Sequence, residues 1–107
     1  MENAFDFIKA GDAGKASEFL WGSIAEAVKA VAASKGIMVY SHAKLKQYAH
    51  ELARELQDRS ISDAFDRANS LHSNFYESTL ELKDVYLVGE DVRATVGKLL
   101  ELTARED

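Results

Sequence analysis

Residues 12–36 read DAGKASEFLWGSIAEAVKAVAASKG, and their apolar spacing decides the fold class. Ala16, Leu20, Ile24, Ala27, Val28 and Val31 recur at intervals of three and four, the signature of one buried helical face. Asp12 stands where an N-cap belongs. Lys35 and Gly36 supply a basic last turn and a C′ glycine. The reading is a long amphipathic helix with both ends marked.

Working outward, Glu2 to Lys9 forms a short helix closed by Gly11. Ser41 caps the next long helix, whose stripe is Leu45, Tyr48, Ala49, Leu52 and Leu56 and which runs out near Asp58. Ser60 with Asp63 three residues on has the capping-box pattern and opens a third long helix, with Ile61, Ala64, Phe65, Ala68, Leu71 and Phe75 on its inner side. The last long helix is read from Gly89-Glu90-Asp91, an acidic first turn that suits the helix dipole, and is expected to bury Val92, Val96, Leu99 and Leu100. There is no proline to interrupt any of these. The expectation is an all-α, up-and-down four-helix bundle with a short extra N-terminal helix, one domain over residues 1–107.

Two apolar segments do not fit a helical stripe. Ile37-Met38-Val39-Tyr40 and Val85-Tyr86-Leu87-Val88 are β-branched and aromatic runs beside glycines, the composition of short strands. They are read as apolar connections across the bundle ends, with two-stranded pairing as the alternative.

Composition narrows the function classes. A chain of 107 residues buries enough surface for one core. It has no cysteine, so disulfides and thiolate metal sites are excluded. No run of 18 apolar residues occurs and the start at Met1 is not basic, so neither a membrane span nor a signal peptide is expected and the chain is read as cytoplasmic. A formal net charge of −5 disfavours broad adhesion to nucleic acid or anionic lipid, though a local basic patch is compatible with it. No His-Glu-x-x-His, calcium loop or P-loop is present, so no metal or cofactor is expected.

The segment Leu71-His72-Ser73-Asn74-Phe75-Tyr76-Glu77, with Arg67 ahead of it, mixes a titratable ring, an amide and two aromatics. Each residue also has a structural reading. His72 lies four after Ala68 and three before Phe75, on the inner stripe, where a neutral imidazole fills space and satisfies one donor and one acceptor. Arg67 lies four after Asp63, the favourable order for an ion pair along one helix. Ser41-His42 reads as an N-cap and a first-turn residue, and Lys46, His50 and Arg54 as a solvated row offset by Glu51 and Glu55. Trp21, with Phe19, Gly22 and Ser23 around it, reads as a core or dimer-interface anchor. Gly97, costly in mid-helix, implies close contact with another helix.

Gly11-Asp12, Lys15-Ala16-Ser17-Glu18-Phe19-Leu20-Trp21, Ala27-Val28-Lys29-Ala30, Lys35-Gly36, Ser41-His42 with Leu45, and Leu71 through Glu77 together resemble the small archaeal PaREP-type proteins of the HEPN superfamily, the higher eukaryotes and prokaryotes nucleotide-binding domains. The resemblance spans about Gly11 to Leu102. It implies a HEPN-type bundle that forms a homodimer, sometimes beside a nucleotidyltransferase or antitoxin partner, in toxin, defence or RNA-processing settings. It does not imply one activity.

Catalytic HEPN ribonucleases carry Arg, four to six residues, then His, and Arg67 to His72 meets that spacing. In such enzymes a histidine moves a proton at the RNA 2′-hydroxyl or leaving oxygen while arginine stabilises the charged phosphorane without a metal, each subunit contributing to one cleft. Asn69 or Asn74 would then orient the ring, Tyr76 would stack on a base, and His42 would line the groove. Against this, five residues turn a helix by about 140°, so Arg67 and His72 do not share a face within one subunit. Ala68 also stands where those enzymes commonly have a polar residue. The favoured reading is therefore a nucleotide- or RNA-associated binding module. A metal-independent endoribonuclease using Arg67 and His72 and a purely structural interaction dimer are the alternatives.

Overall fold

Asn3 starts the first helix with a reciprocal cap. Its side-chain oxygen accepts the amides of Phe5 and Asp6, while the Asp6 carboxylate accepts the Asn3 amide at 2.9 Å. In the computed structural model, which describes residues 3–73 and 81–104, this cap opens the first of five helices: α1 (Ala4–Lys9), α2 (Ala13–Ser34), α3 (His42–Leu56), α4 (Arg59–Ser73) and α5 (Leu82–Ala104). No strand occurs among the described residues. Phe75, on the expected inner side of α4, lies outside them.

The sequence signals hold for α2 and α3. Asp12 accepts the Lys15 amide at 3.0 Å, and Gly36 closes α2 at φ +76°, a left-handed conformation in which a side chain is strained. The Ser41 hydroxyl accepts the Lys44 amide at 3.1 Å, and α3 ends on Gln57 at φ 52°.

Two helix starts differ from expectation. The carboxylate of Asp58, not Ser60, receives backbone at the head of α4: it accepts the Ser60 amide at 3.0 Å and also the Ser60 hydroxyl, and the helix begins at Arg59. The larger correction concerns α5, which begins at Leu82 and runs straight through the segment 85–88 that was read as a connection. Val85 and Val92 are fully buried, Val88 is half-buried against the core, and Gly89 is buried. Val88 and Gly89 lie three and four residues after Val85, and Val92 three after Gly89, a helical repeat, so packing against α1 and α2 overrides the local β preference of Val85 to Val88. Gly89 marks close contact with α1 instead of a helix start. A Cβ built on it would stand 3.3 Å from the Phe5 ring.

The segment 37–40 is a connection, as read. The Ile37 amide donates to the Ala32 carbonyl at 2.9 Å, completing the end of α2, and Val39 packs on the core while Met38 and Tyr40 face solvent. The inner stripe of α5 is also corrected at its end. Leu100 is 50% exposed and Thr95 is buried, because the stripe continues through Thr95 and Leu99 and a further residue turns about 100° away.

Helix α2 is the axis of the molecule. It packs against each of the other four helices, which follow one another around it in the order α3, α4, α5, α1. Its inner face is alanine-rich (Ala16, Ala25, Ala27 and Ala32 beside Leu20, Ile24, Val28 and Val31), and these small residues let several helices approach one rod. Phe65, Ile61 and Leu52 fill the space opposite.

Candidate functional site

The start of α3 and the end of α4 converge on Trp21. Ser41 caps α3 and thereby fixes His42 as its first helical residue, where the imidazole lies 5.1 Å from the Trp21 ring, centroid to centroid, at 39°. His72, in the last turn of α4, stacks on the same indole at 6.3 Å and 20°. Phe65 meets it edge-on at 5.1 Å and 70°. Phe65 is completely buried, Trp21 and His72 are half-buried, and His42 is exposed, so the cluster runs from the core to the surface. Asn69 is half-buried one turn after Phe65 and one turn before His72, on the same face of α4.

Four of the residues singled out from the sequence therefore belong to one region: Trp21, His42, Asn69 and His72. Asn74 and Tyr76 lie outside the described residues. Arg67 is on another side of α4. Its guanidinium donates to the Asp91 carboxylate of α5 at 2.7 Å, in place of the expected pair with Asp63, because α5 lies alongside and offers a carboxylate in reach. The structure does not bring Arg67 and His72 together within one protomer, as the helical phase requires. Gly97 is exposed, and a Cβ there would meet nothing within 4 Å, so the close helix expected beside it is not among the described residues of the protomer. His50 departs from its expected solvated row, bridging α3 to α4 through the Asp66 carboxylate at 3.0 Å.

Chemically, the cluster offers one indole face and two imidazoles whose edge nitrogens donate or accept according to protonation. That set stacks on flat rings and hydrogen-bonds to their edges. It has no arginine to stabilise a phosphorane. Among the described residues, no group of three or more histidine, cysteine or carboxylate side chains is arranged to hold a metal ion. No described helix is long and apolar enough to cross a membrane.

Electrostatic ties lie along the α4–α5 seam instead. Lys98 donates to Asp58 at 3.0 Å and to the Ser60 hydroxyl at 2.9 Å. The Ser60 hydroxyl and then Lys98 hold the Asp58 carboxyl below the usual aspartate range. On the outer face of α5, the Glu90 carboxylate accepts from the Tyr86 hydroxyl and holds that phenol above its ordinary value.

Sequence reasoning missed a concavity that lies between α1, α2 and α5 and includes Phe5, Lys9 and Arg93. The one legible signal was Gly89 within an apolar period, and it was read as a helix start.

These features define an all-helical protein in which four helices gather on a central one, with a ring cluster where α3 and α4 meet it. The chain belongs to the archaeal PaREP1/PaREP8 family, whose model matches residues 1–96. No curated protein and no solved structure matches it.

Proposed function

We propose that this chain is a HEPN-like, nucleotide- or RNA-associated binding module that works as a homodimer, with Trp21, His42, Asn69 and His72 as its base-contacting surface. The observation that carries this reading is the ring cluster itself. Two imidazoles and an indole drawn from three helices form a graded surface, sealed by Phe65 at the bottom and open at His42. Stacking on an unpaired base is tolerant of sequence and needs no broad positive field, which suits a chain of net charge −5. A toxin, antitoxin or defence setting, with a nucleotidyltransferase or antitoxin partner, follows from the HEPN resemblance.

Trp21 is the single tryptophan, so its fluorescence reports directly on the site. Titration with single-stranded RNA oligomers and with mononucleotides is expected to quench it saturably. His42→Ala and His72→Ala should weaken binding about fivefold or more, in line with the roughly 1–3 kcal/mol of one base–aromatic contact. Saturable binding that these variants leave unchanged would remove the cluster from the reading, and no binding of RNA or nucleotide would end it. Labelled RNA incubated with chelator tests the ribonuclease alternative in parallel. Cleavage lost in both Arg67→Ala and His72→Ala would favour that enzyme, with the two side chains meeting across a dimer.

A further inference from the structure

The concavity between α1, α2 and α5 is a groove of about 540 Å³, within the range of small-molecule sites. It is separate from the ring cluster. Phe19, Leu20 and Ser23 of α2 line it, and Trp21 is turned roughly 150° from their mean direction on the helix.

Its construction is specific. Gly89 is buried with the Phe5 ring so close that even a methyl group would stand 3.3 Å away, so the glycine lets the aromatic ring lie directly on α5. Phe19 and Val96 add apolar wall. Over the Phe5 ring lies the Arg93 guanidinium, 5.5 Å from the centroid, and Lys9 also lines the groove. Neither cation forms an ion pair with a described residue. The acidic side chain in the lining, Asp6, has a carboxylate oxygen engaged by the Asn3 amide in the α1 cap. An acidic chain thus carries two cations beside an aromatic floor.

From this juxtaposition we infer that the groove binds a small anion carrying a flat unsaturated ring, the ring seated against Phe19 beside the Phe5–Arg93 pair and its carboxylate or phosphate held by Arg93 and Lys9. The guanidinium is already held over the Phe5 ring, so an incoming ring meets a prepared surface. The anion gives both cations the partner they lack among the described residues. This inference does not depend on the ring cluster binding RNA.

The test uses 1-naphthoate, its uncharged analogue 1-naphthamide, and adenosine monophosphate. Each is titrated into the full chain with amide chemical shifts followed by NMR. Saturable shifts centred on Ser23 and Gly89 are expected with naphthoate, adenosine monophosphate or both, and which of them binds tells an aromatic acid from a nucleotide. Naphthamide should bind about tenfold more weakly or less. Arg93→Gln and Lys9→Gln should each lower the affinity of the bound anion severalfold or more, while Arg93→Lys keeps part of it. Both cations are surface residues, and an unchanged circular dichroism spectrum checks the fold of each variant. Equal binding of naphthoate and naphthamide, shifts centred elsewhere, undiminished affinity in both Gln variants, or no binding of either anion would overturn the proposal.

Discussion

Phe65 holds both the core and the floor of the ring cluster. It is completely buried, and its ring meets Trp21 edge-on, so removing it opens a cavity under the indole. Phe65→Ala is expected to cost about 3–5 kcal/mol of folding stability, measurable by urea denaturation, and to shift the Trp21 emission to longer wavelength as water enters. Arg67→Ala should behave differently. Its pair with Asp91 is short, but both side chains are about half exposed, and such surface pairs contribute roughly 0–1 kcal/mol. The residue most suggestive of catalysis from sequence spacing is therefore one whose loss is nearly silent for stability, so any lost cleavage in that variant reports on chemistry.

At the scale of elements, the α4–α5 seam is closed at one end by Asp58, Ser60 and Lys98. The lowered pKa of Asp58 means that its ionised form is favoured by folding. Its stabilising contribution is fully present above the unfolded aspartate pKa of about 3.9, and it is lost as pH falls through the lower folded value. Asp58→Asn keeps a capping side chain but removes the charge. Thermal melts should show a small loss at neutral pH, about 0.5–1 kcal/mol for a partly exposed pair. The gap between wild type and variant should then close as pH is lowered below about 4. A gap that persists at pH 2.5 would show that the carboxylate's charge is not what holds the seam. Element boundaries also show where sequence reading stops. The Asp12 and Ser41 caps and the Gly36 stop are local hydrogen-bonding and φ preferences, so they were legible. The start of α5 was not, because Val85 to Val88 prefer extended backbone locally and only burial against α1 and α2 makes them helical.

For the whole molecule, the proposed homodimer needs a face on which a second copy sits. Gly97 is exposed with free space above its Cα, on the outer side of α5 near the exposed Leu100. In an isolated protomer Gly97→Leu removes a costly mid-helix glycine without a clash and should raise stability by roughly 0.5–1 kcal/mol. If α5 packs against a partner there, as the proposed homodimer requires, the same change should instead weaken association. Sedimentation equilibrium of wild type and Gly97→Leu separates the two outcomes. A dimer that persists unchanged would move the interface away from Gly97.

The helical class, the approximate positions of α1 to α4 and the apolar stripe of α2 are legible in local sequence, because periodicity, caps and glycine stops act within a few residues of chain. That Arg67 and His72 face different ways is legible there too, since it is a matter of helical phase. Which rings meet is set by the packing of distant helices. Trp21, His42 and His72 are 21 and 30 residues apart in the chain, and no local rule ties them. They come together because α2 is the rod on which α3 and α4 pack. The same packing turned Gly89 from an apparent helix start into the seat of Phe5, and with it made the groove beneath Arg93.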